Sequence, residues 1–341
     1  TVASGNIGND KTVTNTSLQL LDGSGLASNY SIANTISADI TLRPVNLSGS
    51  RVYDGTTDAA ASDLSLGNLV SGENISLSGT GTLGSAAVGS QTITNIGSLE
   101  ISDGSSSASN YSLTGALSMA ITKRPVTVTG SKFYDGTTNA AASNLTSFTN
   151  LVSGETLSLS GNGSVASSAV GSNKSVSHQT LALANGSGAA SNYSLGNVTI
   201  NINKRILSLD GIRAFDGNTT VSSSDISTFG NIVSGESLTL SGSGTVTNAN
   251  AGMNKSLTLG SLSLSNGSGN ASNYTLSGGI HTFDISQLSV NVTGSKIYDG
   301  TTTVNGSTLT LTNLVSGEAV SLTGSGSVAS AAVGDNKTVS T

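Results

Sequence analysis

The sequence predicts an all-β protein. The expected architecture is a tandem array of small, immunoglobulin-like β-sandwich modules of about 81 residues, forming an elongated rod or fibre. Three observations carry this expectation: ordered motifs that recur at one fixed period, short stretches of apolar–polar alternation, and glycine and asparagine clusters between them.

The period comes first. Tyr53-Asp54-Gly55-Thr56-Thr57 returns as Tyr134-Asp135-Gly136-Thr137-Thr138, as Phe215-Asp216-Gly217-Asn218-Thr219 and as Tyr298-Asp299-Gly300-Thr301-Thr302, at spacings of 81, 81 and 83 residues. A Ser-Asn-Tyr marker ends at Tyr30, Tyr111, Tyr193 and Tyr274, and a Val-Ser-Gly-Glu marker ends at Glu73, Glu155, Glu236 and Glu318. Together they divide the chain into the back part of a repeat at 1–43, repeats at 44–124, 125–205 and 206–287, and the front part of a repeat at 288–341. A chain that starts and stops inside a repeat reads either as a window on a longer repetitive polypeptide or as modules with a circularly permuted boundary, the true module starting near Thr1. The period is too long for an ankyrin or leucine-rich solenoid and suits a small sandwich.

The alternation comes second. Val126-Thr127-Val128-Thr129 puts the valines on one face and the threonines on the other. Ile75-Ser76-Leu77-Ser78, Leu157-Ser158-Leu159-Ser160 and Leu238-Thr239-Leu240-Ser241 read the same way, and 91–101 and 256–264 read as longer late strands. No helical periodicity persists beyond a turn, so six or seven strands per repeat are expected. Both prolines, Pro44 and Pro125, fall at the joints, where a residue with fixed φ and no N–H belongs at a strand start. Joints this short predict little hinge motion.

Composition excludes several functions. The net charge of −6, with 13 Lys+Arg against 19 Asp+Glu, leaves no cationic surplus for nucleic acid. Cysteine is absent, which rules out disulfides and thiolate metal sites. No apolar run is long enough to span a membrane as a helix, and residues 1–10 lack the basic start and apolar stretch of a signal peptide.

The repeated motifs read as structural. In Tyr-Asp-Gly-Thr-Thr, the aspartates (Asp54, Asp135, Asp216, Asp299) cap a turn made by the glycines (Gly55, Gly136, Gly217, Gly300). The ring ahead of them (Tyr53, Tyr134, Phe215, Tyr298) anchors that turn to the core. Calcium ligation by the aspartates is the alternative, but nothing supplies the six to eight oxygens it needs. Each Val-Ser-Gly-Glu carboxylate reads as solvated, or as the partner of the basic residue before the Tyr-Asp-Gly turn (Arg51, Lys132, Arg213, Lys296). A Lys–Asn isopeptide bond would be open only to Lys132 and Lys296. Tyr30, Tyr111, Tyr193 and Tyr274 read as buried rings with bonded hydroxyls, with sugar stacking as the functional alternative. His178 and His281 occupy different phases of the repeat, so no catalytic arrangement can recur, and neither an enzyme nor a cofactor is expected.

Lys132-Phe133-Tyr134-Asp135-Gly136-Thr137-Thr138, Val152-Ser153-Gly154-Glu155, Leu159-Ser160-Gly161-Asn162-Gly163, Val170-Gly171 and Ser191-Asn192-Tyr193-Ser194-Leu195 occur in that order. This set resembles the YDG-type, mostly-β glycine-rich repeats of large bacterial filamentous-haemagglutinin-like surface adhesins. The 206–287 repeat departs from the pattern at Phe215 and Asn218. The resemblance implies an extracellular or cell-surface location in a Gram-negative bacterium and a structural role, as a stalk or filament in adhesion and biofilm cohesion. The expected partners are neighbouring repeats of the same polypeptide, other copies of it in a fibre, or surface glycans. The alternatives are a fibre subunit that assembles by strand exchange, and a repeat module that binds glycan or calcium.

Overall fold

A computed structural model describes residues 1–340; Thr341, which closes the 288–341 stretch, lies outside the described residues. The chain is all-β. No helix among the described residues exceeds a three-residue 3-10 turn. It divides into two compact units: 1–131 with 139–166 and 173–200, and 132–138 with 167–172 and 201–341.

The first unit contains the 44–124 repeat entire. Its main sheet has six strands in the order Asp58–Ala60, Thr80–Leu83, Gly89–Asn95, Ser118–Thr122, Asn46–Val52, Leu64–Gly67. Ser118–Thr122 runs parallel to Asn46–Val52, with Ala120 opposite Ser50, and every other pairing is antiparallel. The sheet is therefore mixed, where an immunoglobulin sheet is wholly antiparallel. Period-2 alternation fills its inner face: Leu47, Ala59, Leu83, Ile93, Met119 and Ile121 form one buried cluster. A two-stranded sheet, Ile75–Ser78 with Glu100–Asp103, supplies the second layer. Leu77 packs on that cluster, while Ile75 joins a smaller one with Val45, Ala108 and Tyr111. Arg43–Pro44 pairs in parallel with Tyr111–Ser112.

The expected strand count is corrected upward. Residues 46–122 hold nine short strands rather than six or seven. The long late strands are also broken. Gly89–Asn95 and Glu100–Asp103 are separate, as are Gly252–Thr258 and Ser263–Asn266. Gly97 (φ +59°) and Gly260 (φ +54°) turn the chain between them. That turn sends Leu99 and Leu262 back into the core.

In the same unit Val126 and Val128 are fully buried while Thr127 and Thr129 are half-buried, as alternation dictates. In the 1–43 stretch Gly8–Thr12 pairs antiparallel with Ser37–Ile40. In the second unit, the 206–287 repeat repeats the main sheet: Thr220–Ser222, Ser243–Val246, Gly252–Thr258, Thr282–Ser286, Ser208–Ala214, Ile226–Gly230. The 288–340 stretch has Asn291–Gly294 paired with Leu309–Thr312, and a three-stranded sheet of Thr303–Asn305, Ser325–Val328 and Val339–Ser340.

Candidate functional site: the joints between repeats

The Tyr-Asp-Gly turn is built by its own polar residues. Asp54 Oδ1 accepts from the Thr56 N–H and hydroxyl, both at 2.9 Å, and Asp135 Oδ1 does the same from Thr137. The basic residue three positions earlier closes each turn from behind. Lys132 Nζ lies 2.9 Å from Asp135 and 3.0 Å from the Thr137 carbonyl; Arg51 pairs with Asp54, Arg213 with Asp216 and Lys296 with Asp299. Burial alone would raise the Asp135 pKa, but Lys132 and the two Thr137 donors outweigh it and hold the carboxyl below its ordinary value. The basic residues therefore pair with the turn aspartates, and the expectation that they partner the Val-Ser-Gly-Glu carboxylates is corrected.

Tyr53 and Tyr134 are buried in the core, and each also reaches the next repeat. The Tyr53 hydroxyl donates to Glu155 Oε1, at 2.6 Å, across the joint in the 125–205 repeat. The Tyr193 hydroxyl donates to the other oxygen, Oε2, also at 2.6 Å, and accepts from the Val152 N–H at 3.1 Å. The two rings meet edge-on, centroids 5.4 Å apart at 80°. The second unit repeats this arrangement. Tyr134 and Tyr274 donate to the two oxygens of Glu236 at 2.5 and 2.6 Å, with rings 5.4 Å apart at 79°. Glu155 and Glu236 are thus acceptors for paired tyrosines, not solvated carboxylates. Burial first, then the bond to glutamate, raises all four hydroxyls, with Tyr193 pushed up to about 12.

Glycine completes the contact. Gly55 has φ +83°, and a Cβ there would stand 2.9 Å from Val152 Cγ1 of the next repeat. Gly136 against Val233 and Gly217 against Val315 give 3.1 and 2.9 Å. The invariant turn glycine therefore answers two demands at once: the left-handed backbone and the approach of the neighbouring valine.

Two further links were missed in the sequence. Arg124 reaches Asn150 through Nε to its carbonyl (2.7 Å) and Nη2 to its Oδ1 (2.9 Å), and Nη1 lies 3.3 Å from the Tyr53 carbonyl across the joint. Arg205 makes the same contacts with Asn231 and the Tyr134 carbonyl. Asn150 and Asn231 sit at φ +65° and +66°, and their amides donate to Pro125 and Ile206. An Arg followed 25 or 26 residues later by an Asn, at Arg43 and Asn68, Arg124 and Asn150, and Arg205 and Asn231, was the available signal. The asparagine of Ser-Asn-Tyr also crosses: Asn192 Oδ1 accepts from Val88 N–H and Asn273 Oδ1 from Val170 N–H, both at 3.0 Å, and Asn110 Oδ1 from Ile7 N–H at 3.1 Å.

The remaining tyrosines are placed differently. Tyr111 is buried and donates to Glu73 of its own repeat. Tyr30 is 71% exposed, which corrects its expected burial, because the 1–43 stretch carries no Val-Ser-Gly-Glu turn to close over it. Tyr298 is 65% exposed, which corrects its expected anchoring to the core: no glutamate one period on is in the sequence to hold it. Phe215 has no hydroxyl to donate. His281 is structural: its Nδ1 accepts from Leu209 N–H, so Nε2 carries the proton donated to the Leu276 carbonyl. Among the described residues, no group of three His, Cys, Asp or Glu side chains is placed to hold a metal ion.

A profile of the YDG domain matches residues 36–119, 121–200, 207–281 and 286–341 in tandem. The chain belongs to the YDG domain family. No curated protein and no solved structure matches it. In this chain the motif that names the family sits at the joint between YDG repeats: the Tyr and Gly of one repeat against the Glu and Val of the next.

Proposed function

We propose that this chain is a structural segment of a large extracellular bacterial adhesin or matrix fibre, a stalk or filament that serves cell adhesion and biofilm cohesion. The Tyr–Glu–Tyr joint, repeated with the same partners at two successive junctions, carries this reading. The 44–124 and 125–205 repeats each have a donor end, with a Tyr-Asp-Gly turn, and an acceptor end, with a Glu, a Val and an Asn. A contact between unlike ends can be repeated from each unit to the next, which suits a tandem array. Repetition also explains why the polar chemistry concentrates at the joints: each small core gains stability from its neighbour. No catalytic role is proposed.

The test uses the source bacterium. Antibodies against the chain are expected to label intact cells or their matrix, and deletion of the gene segment to reduce surface attachment and biofilm mass. Labelling that requires permeabilised cells, with attachment unchanged by the deletion, would overturn the proposal.

A further inference from the structure

We infer that the junction between the 206–287 and 288–341 repeats is a compliant joint in an otherwise latched series. The elements that meet at the junction keep their own backbone bonds, and one close contact crosses between the repeats. Phe215 N–H bonds to the Ser286 carbonyl at 2.9 Å, as Tyr53 bonds to Thr122 and Tyr134 to Asn203. Gly217 meets Val315 as Gly55 meets Val152. Asn313 keeps its left-handed backbone, φ +69°, and donates to the Ser289 carbonyl at 3.1 Å, as Asn150 does to Pro125.

Two of the three polar links, the tyrosine's and the arginine's, are missing there together. Phe215 replaces the tyrosine that donates to glutamate at the other two joints. Leu288 occupies the position of Arg124 and Arg205, one residue before Pro125, Ile206 or Ser289. Leucine supplies neither the paired bonds to the asparagine nor the reach to the preceding repeat's carbonyl. Phe215 and Leu288 are both half-buried. Directional, charge-assisted bonds fix register and angle, while an apolar contact of the same area does not. Interfaces between modules that lack such constraints move by default. The joint therefore holds its two repeats together but leaves their angle free, which gives a fibre built of these repeats a bending point at a position set by sequence. The inference stands whether or not the chain serves as a surface stalk.

The chain has no cysteine, so spin labels can be placed at will. Label pairs at Thr94→Cys with Ser158→Cys and at Thr258→Cys with Ser321→Cys use exposed residues at equivalent positions on either side of the first and third joints. Pulsed dipolar distance distributions in the full chain are expected to be narrow for the first pair and broad for the second. Phe215→Tyr with Leu288→Arg is expected to narrow the second distribution. Tyr53→Phe with Arg124→Leu is expected to broaden the first. Equal widths in the unmodified chain, or widths that do not respond to either exchange, would overturn the inference.

Discussion

Removing one hydroxyl at the first joint is the sharpest perturbation available. Tyr53→Phe keeps the ring, and with it the edge-on contact to Tyr193 at 5.4 Å, and deletes the hydroxyl that donates to Glu155 Oε1 at 2.6 Å and also bonds the Asn192 side chain. A hydrogen bond to a charged acceptor contributes about 1.5–3 kcal/mol. Glu155 keeps its bond to Tyr193 and is only half-buried, so water can reach the vacated oxygen and the cost falls near the bottom of that range. The expected loss is thus ~1.5 kcal/mol of local stability, roughly a tenfold change in the opening equilibrium. Tyr193→Phe should cost more, by about 1 kcal/mol, because it also strips the Val152 N–H of its acceptor. The assay is hydrogen exchange at residues 152–155 in the full chain, since a repeat array has no single unfolding free energy. Glu155→Gln completes a double-mutant cycle. If Tyr53→Phe changes exchange equally with and without Glu155→Gln, the bond across the joint contributes nothing and the reasoning fails.

Other outcomes follow from the same geometry. Gly55→Ala should destabilise more than Gly72→Ala in thermal melts: both glycines are left-handed, at φ +83° and +84°, but only Gly55 faces a neighbouring valine. Alkaline pH should weaken the joints. The tyrosine pKa at Tyr193 is raised from 10.0 to about 12, so its contribution is complete below pH 10 and is lost as pH climbs through about 12; a midpoint independent of pH over that window would contradict it. Acid should weaken the turns. The carboxyls of Asp54, Asp135 and Asp216 are held below 3.8, so their contribution is complete above that pH and fades as pH falls through their lowered values; Asp135→Asn should flatten this dependence. Arg51→Lys should leave the melting temperature unchanged or raise it, by up to about 1 kcal/mol of stability, because the buried Arg51 Nε lacks a partner while lysine fits the same turn at Lys132.

Much of the fold was legible because its causes are local. Alternation in Val126-Thr127-Val128-Thr129 fixes which side chains face inward, and aspartate with glycine fixes the turn at Asp54-Gly55. The joint was not legible, and the reason is the repetition itself. The 44–124 and 125–205 repeats each place a tyrosine, a glutamate and a second tyrosine in the same order at nearly the same spacing. Tyr53 could meet Glu73 within its own repeat or Glu155 in the next with equal consistency. A periodic sequence does not distinguish a contact inside the unit from the same contact shifted by one unit. Only coordinates separate them, and they pair Tyr111 with Glu73 and Tyr53 with Glu155. The parallel pairing of Ser118–Thr122 with Asn46–Val52 escaped for a related reason, since alternation defines a face and not a neighbour.

The central claim is that the Tyr-Asp-Gly turn of one repeat locks into the glutamate of the next. Tyrosine-ring cross-relaxation in the selectively labelled full chain tests it most directly. The structure predicts cross-peaks between Tyr53 and Tyr193 and between Tyr134 and Tyr274, whose centroids lie 5.4 Å apart in each pair although the partners belong to different repeats. A spectrum in which neither pair shows a cross-peak, while the repeats remain folded, would contradict it.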